Sequence, residues 1–198
     1  MTRNDLTTNF LLTGVGGQGT LLAADVVGLV GIQLNLDVKK SEVHGMAQRG
    51  GSVVSHVRWG ERVDSPLIAA GEVDYLIAFE QLEALRYASL VRPGGIVLVN
   101  DYRIAPVSVS SGNDVYPDPA AEEQAYGDSL QRFLVPAIEI AQRMGQARVN
   151  NIVMLGALSH FLPAPVEVWL EVISGRVPER TIALNRDAFA AGRAYMQK

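Results

Sequence analysis

Six residues, Gly14-Val15-Gly16-Gly17-Gln18-Gly19, stand between an apolar run at 10–12 and the helix-forming stretch Thr20-Leu21-Leu22-Ala23-Ala24. Glycines at 14, 16 and 19 let a chain leaving a buried strand turn sharply, approach a ligand closely and pack the next helix on the strand. Free N–H groups and the helix dipole favour negative charge at that point, so a phosphate is the natural ligand. Glycine at such a turn also relieves backbone strain with no ligand bound, and the residues alone leave both readings open. The spacing fits the dinucleotide fingerprint, and Asp37 lies within a few residues of where a ribose-binding carboxylate belongs, although early in its strand. An independent nicotinamide-dependent dehydrogenase is therefore the alternative the turn raises. A nucleoside triphosphatase is not supported, because Thr20 stands where the phosphate-binding lysine is needed.

The second chemical stretch runs from Lys39 to Ser52 and gathers charge, His44 and the glycines 45, 50 and 51. It reads as a recognition loop, with neither a helical nor a strand period. Glu42 and His44 have the chemistry of an acid–base or metal pair, but no third ligand has recognisable spacing and the chain holds only three histidines, so no metal site is expected. His44 and Arg49 are equally well satisfied by backbone carbonyls and carboxylates at a loop or interface. Arg49, with five donors in a rigid fork, suits a carboxylate or phosphate there. With no cysteine, the chain has no disulfide, thiolate metal site, cysteine nucleophile or cysteine-bound iron–sulfur cluster. No Gly-x-Ser-x-Gly elbow is present. His56 reads as a solvent-facing strand residue, Asn150-Asn151 as a helix N-cap, and Asn185 as surface.

These residues need a scaffold, and the chain's 198 residues match one domain, spanning 1–198, that buries roughly 70% of its unfolded surface. Hydrophobic residues at 48% and charged residues at 19% are those of a globular chain, and the net charge of −4 without a basic cluster argues against nucleic acid. The polar start and the lack of a long apolar run give no membrane span or signal peptide, so a cytoplasmic location is expected. Strands are predicted at 9–13, 36–39, 52–59, 75–79, 96–100 and 132–137. The strand at 52–59 alternates polar and apolar residues as a half-exposed, antiparallel strand does. Helices are predicted at 20–34, 81–90, 139–144, 152–161 and 179–196. The order gives an α/β, Rossmann-like domain: a mostly parallel twisted sheet with helices on both faces. Residues 113–128, acidic with two prolines and no aliphatic cluster, read as a surface excursion. The helix at 152–161 is apolar on almost every side and needs cover from the sheet or from another subunit, with a subunit contact the expectation. In the last helix Leu184, Ala188, Ala191 and Tyr195 define the expected buried stripe.

GVGGQGT at 14–20 and KKSEVHGMAQRGGSVVSHVR at 39–58 together resemble the gamma domain of the 2-oxoacid:acceptor oxidoreductases, and within that family the small beta subunit of indolepyruvate ferredoxin oxidoreductase. The likeness extends to PGGIVLVN at 93–100, ARVNNIVMLGAL at 147–158 and ALNRDAFAAGRAY at 183–195. The resemblance implies oxidative decarboxylation of a 2-oxoacid, of the indolepyruvate or arylpyruvate type, to an acyl-CoA, with electrons passed to ferredoxin. It also implies a hetero-oligomer in which thiamine diphosphate and the iron–sulfur clusters belong to a large partner subunit, a division that the absence of cysteine here fits. No cofactor is then expected on this chain alone, which is inactive by itself. Contacts to coenzyme A or a pyrophosphate would fall on Gly14, Gly16, Gly17, Gln18 and Gly19, and on Ser41, Glu42, His44, Gln48, Arg49, Gly50 and Gly51. A purely structural assembly subunit with an empty glycine turn is the remaining reading.

Overall fold

The computed structural model describes residues 7–44 and 51–197. The first strand, β1 (Thr7–Val15), carries the fully buried Phe10, Leu11 and Leu12 and feeds the glycine turn. Helix α1 (Thr20–Gln33) follows, then β2 (Asp37–His44), β3 (Ser52–Gly60) and β4 (Val73–Ala78). Next come α2 (Gln81–Tyr87) with a single 3-10 turn after it, β5 (Val91–Asn100), the short helices α3 (Val107–Ser110) and α4 (Pro119–Tyr126), and β6 (Gln131–Val135). Helices α5 (Ala137–Arg143), α6 (Asn150–Ser159), α7 (Val166–Arg176) and α8 (Ile182–Tyr195) complete the chain.

Among the described residues, six strands join one sheet in the order β2-β3-β1-β4-β5-β6. Strand β3 is antiparallel to both of its neighbours, while β1, β4, β5 and β6 run parallel. Period-two alternation along β1 divides the core. Phe10 and Leu12 face the cluster built with α1, α5, α6, α7 and α8, whereas Leu11 faces the cluster that includes Ala84 of α2 and Tyr126 of α4. The expected α/β architecture with helices on both faces is therefore observed.

The differences from the sequence reading have physical causes. Strand β2 continues to His44 instead of ending near Lys39, because each residue from Asp37 to His44 finds a cross-strand partner on β3. The loop expected from Lys39 onward thus begins as an edge strand. Helix α6 is buried at all ten positions by elements of its own chain, packing on α8, α5, α1 and β5. The subunit contact expected for it is unnecessary. On α8 the buried face is Asn185, Ala188, Phe189 and Gly192, with Leu184, Ala191 and Tyr195 only half-buried. Asn185 is accordingly an interior residue whose Nδ2 donates to the Thr181 carbonyl at 2.8 Å. The acidic excursion folds back on the sheet: Tyr126 is buried, and the Tyr116 hydroxyl donates to Glu80 Oε1 at 2.6 Å.

Candidate functional site

Strands β1 and β4 are parallel neighbours whose following helices pass to opposite faces of the sheet, α1 to one and α2 to the other. The chain ends of such a pair enclose a crevice, the usual ligand position in open α/β sheets. The glycine turn lies there. Phe79 donates its N–H to the Thr13 carbonyl at 2.8 Å, and its own carbonyl accepts from Gln18 Nε2 at 3.0 Å. Gln18 Oε1 accepts from the Val15 N–H at 2.7 Å, which folds the side chain back beneath the turn. A Cβ at Gly14 would stand 2.8 Å from both Gln18 Oε1 and Thr20 Oγ1, so a side chain there displaces the turn. The left-handed backbone falls at Gly17 (φ 103) and Gly19 (φ 82). A Cβ at Gly19 would meet Asn151 Nδ2 at 2.4 Å, whereas at Gly17 the space is open.

The two sequence motifs meet at this turn. The Gly16 N–H donates to the Gly51 carbonyl at 2.9 Å, and Val15 stands opposite Ser52 in the ladder. His44 lies opposite Val53, which is opposite Gly14, so β2 also returns to this edge of the sheet. Ser41 and Glu42 sit one strand further out, on β2, opposite His56 and Ser55. Glu42 accepts from Lys40 Nζ at 2.6 Å; Lys40 also pairs with Asp25 of α1, to which Arg176 of α7 donates at 2.5 Å. Glu42 is thus engaged in tying the sheet edge to two helices. Gln48, Arg49 and Gly50 lie outside the described residues.

Beside the N-terminus of α1 opens a cavity of about 170 Å³. Gly17 and Gln18 of the turn line it, with Asn100 and Tyr102 after β5, Ile138 of α5, and Ala147, Arg148 and Asn150 before and at the start of α6. Asn150 is 7% exposed, its Nδ2 donates to the Ala147 carbonyl at 2.8 Å, and its buried Oδ1 has no partner among the described residues. Arg148 is exposed and makes no ion pair among the described residues. It also borders a second cavity of about 280 Å³ together with Leu22, Asn151 and Arg180. Helix α1 has no acidic residue in its first turn and no side-chain cap. A guanidinium unpaired among the described residues and amide side chains around one opening, beside a helix N-terminus without a side-chain cap, are suited to an anionic group such as a phosphate.

Sequence reasoning missed Asn100, Tyr102 and Arg148 and read Asn150-Asn151 as a cap. The residue before α6 is Val149, which makes no side-chain cap bond, but Asn151 Oδ1 accepts the first-turn Ile152 N–H at 2.9 Å, so the expected service to the helix start is partly met from inside it. Asn151 Nδ2 also donates to the Gly19 carbonyl at 3.3 Å, across 132 residues of chain. The signal was present in ARVNN and in the asparagine ending PGGIVLVN; its spatial meaning was not. His56 is half-buried and its Nδ1 accepts from the Ile68 N–H at 3.3 Å, an architectural role. Asp37 does not serve the turn: it accepts from the Val63 N–H at 2.8 Å and pairs with Lys39. It lies opposite Gly60, which is opposite Thr7, at the far end of the sheet. Seven residues of strand separate that level from Gly14, roughly 23 Å. The carboxylate that dinucleotide binding requires is therefore on the wrong end. No cluster of three or more His, Asp or Glu suited to a metal occurs among the described residues, and none of their helices is long and apolar enough to cross a membrane.

The family described as pyruvate ferredoxin/flavodoxin oxidoreductase matches residues 9–195. The indolepyruvate oxidoreductase subunit IorB of Thermococcus kodakarensis is 39% identical over 190 residues, 93% of each chain. Among solved structures, the gamma subunit of a keto/oxoacid ferredoxin oxidoreductase from Geobacter sulfurreducens superposes with a TM-score of 0.72 at 25% identity, over 96% of this chain and 98% of that one. The 2-oxoglutarate:ferredoxin oxidoreductase of Magnetococcus marinus, solved with 2-oxoglutarate, coenzyme A and succinyl-CoA bound, shares the fold with a TM-score of 0.76 at 22% identity. It covers 98% of this chain and 32% of its own.

Proposed function

The chain belongs to the pyruvate ferredoxin/flavodoxin oxidoreductase family, and from that premise we propose that it is the small subunit of an indolepyruvate-type, aryl-2-oxoacid:ferredoxin oxidoreductase. The observation that carries this reading is likeness from end to end, 39% identity over 93% of both chains to an indolepyruvate oxidoreductase subunit. The overall reaction converts an aryl 2-oxoacid and coenzyme A to an acyl-CoA and carbon dioxide, with two electrons passed to ferredoxin. The donor set of this chain does not fit an iron–sulfur cluster, since it holds no cysteine. We therefore assign clusters and thiamine diphosphate to a large partner subunit, in a cytoplasmic hetero-oligomer.

This chain's share is binding and orientation. The cavity beside the glycine turn fits a phosphate of coenzyme A, which when bound supplies the thiol that accepts the acyl group. Arg148 would meet the anion beside the backbone of Gly17 and Gln18, and Asn150 Oδ1, without a partner among the described residues, would accept from a hydroxyl or amide N–H of the same ligand. Open space above Gly17 lets that ligand approach the backbone. That orphaned acceptor favours this reading over an empty turn in a purely structural subunit.

The test is assembly and turnover. The chain purified alone should be folded, colourless and inactive toward indolepyruvate and phenylpyruvate. Co-expressed with the large thiamine-binding subunit, it should give a brown complex that reduces ferredoxin only when coenzyme A is present. Turnover by this chain alone, or equal turnover by the large subunit without it, would refute the assignment.

A further inference from the structure

A buried carboxylate beneath the glycine turn has no part in the cavity's lining, and its partners come from both sequence motifs. Glu83, in the first turn of α2, is 4% exposed. Its Oε2 accepts from Thr13 Oγ1 at 3.2 Å and from Ser52 Oγ at 2.5 Å, while Arg86 Nε approaches Oε1 at 3.2 Å. Thr13 is the residue immediately before the turn, and Ser52 immediately follows Gly51, whose carbonyl receives the Gly16 N–H. One oxygen thus fixes the start of the turn, through Thr13, and the strand on which its Gly16–Gly51 bond rests, through Ser52. The Tyr87 hydroxyl stands 3.4 Å from Ser52 Oγ and closes the cluster from the next turn of α2.

The stability of α2 does not require this arrangement. A carboxylate serves the N-terminus of a helix equally well in water, and Glu80 already caps α2 by accepting from the Glu83 N–H at 3.1 Å. Burying a charge is costly unless hydrogen bonds satisfy it, and here the donors that do so are the two hydroxyls flanking the turn, together with Arg86. We propose that Glu83 is a positioning residue for ligand binding, setting the glycine turn against the N-terminus of α1 and the cavity without touching the ligand. The role rests on the reading of that cavity as a coenzyme A site. A displaced turn weakens a contact made equally in ground and transition states, so the loss falls on KM for coenzyme A and not on kcat.

The experiment uses the assembled complex and coenzyme A itself as the probe, with Arg148→Ala, which removes the exposed cation of the cavity without touching the turn, as the control that tests the cavity. Glu83→Ala should raise KM for coenzyme A about tenfold and leave kcat, KM for the 2-oxoacid and assembly within about twofold, while Glu83→Gln, whose amide oxygen still accepts from the hydroxyls, falls between. If Arg148→Ala raises that KM and Glu83→Ala does not, the cavity reading stands and the role of Glu83 is overturned. If neither variant changes it, the cavity reading fails and the role of Glu83 with it. A parallel fall in kcat and assembly for Glu83→Ala would make the residue a general structural one and also overturn the proposal. Should Glu83→Ala fail to fold, Ser52→Ala, which deletes one hydroxyl, carries the test: a threefold rise in KM for coenzyme A is expected, and an unchanged KM sinks the idea.

Discussion

His56 illustrates how one residue's surroundings decide its chemistry. Burial, and after it the nearby Arg58 cation, holds its pKa below the ordinary 6.5, and Nδ1 must stay bare to accept from the Ile68 N–H. The neutral ring is thus favoured in the folded protein. Below about pH 6.5 the unfolded chain takes up a proton that the folded chain refuses, so stability present above that pH is lost as pH falls through the folded value. The urea midpoint should therefore drop between pH 7.5 and pH 5, and His56→Gln should flatten part of that slope. An identical slope in wild type and variant would remove His56 as the cause. The same scale separates the glycines of the turn. Gly19 is required twice, by its backbone angle and by the Asn151 amide against it, whereas Gly17 is required only by its angle and borders open space. A side chain at Gly17 therefore meets no neighbouring atom, and the whole of its cost to the fold is the strain of that backbone angle.

Between elements, the tightest contact is the crossing of α6 and α8. A Cβ on Gly156 would lie 2.0 Å from the Phe189 carbonyl oxygen, and one on Gly192 would lie 1.9 Å from that of Val153. The obstacles are backbone atoms, which cannot rotate away as a side chain does. Each glycine lets the other helix approach, so α6 can be enclosed on the side facing α8 without a second subunit. Gly156→Ala should force the helices apart and cost about 3 kcal/mol, at the upper end of ordinary overpacking, read from chemical denaturation followed by circular dichroism. A loss below about 1 kcal/mol would mean that the crossing yields freely and does not hold the layer together. These glycines lie inside the motifs ARVNNIVMLGAL and ALNRDAFAAGRAY, so part of what reads as a family signature is the demand of one helix crossing.

At the scale of the whole molecule, the placement of β3 decides which ligands the turn can take. Because β3 lies between β1 and β2, the strand after α1 is carried out to the sheet edge, and its acidic residue begins that strand instead of ending it. Asp37 is then spent on the Val63 N–H and Lys39. NADH should accordingly show no binding to this chain by calorimetry at concentrations up to the millimolar range, a limit set by ordinary cofactor affinities. Micromolar binding would restore the dehydrogenase reading that the geometry disfavours.

Local pattern was enough for several features. The apolar run at 10–12, the glycines after it and the helix formers from Thr20 specify a strand, a turn and a helix without distant contacts, and the composition of residues 152–158 requires burial wherever that helix lies. The absence of cysteine excludes a thiolate-bound cluster regardless of fold. The antiparallel run of β3 was legible in its alternation, but its neighbours were not, because a period of two reports which face of a strand is buried and not which strand lies beside it. Only the folded chain set β3 between β1 and β2, sent Asp37 to the far end of the sheet, and brought Gly51 to Gly16 and Asn151 to Gly19. Arg148 and Asn150 join Gly17 around one cavity for the same reason: burying α6 between α8 and the sheet fixes where its first residues stand, and that long-range packing has no signature in the residues nearby.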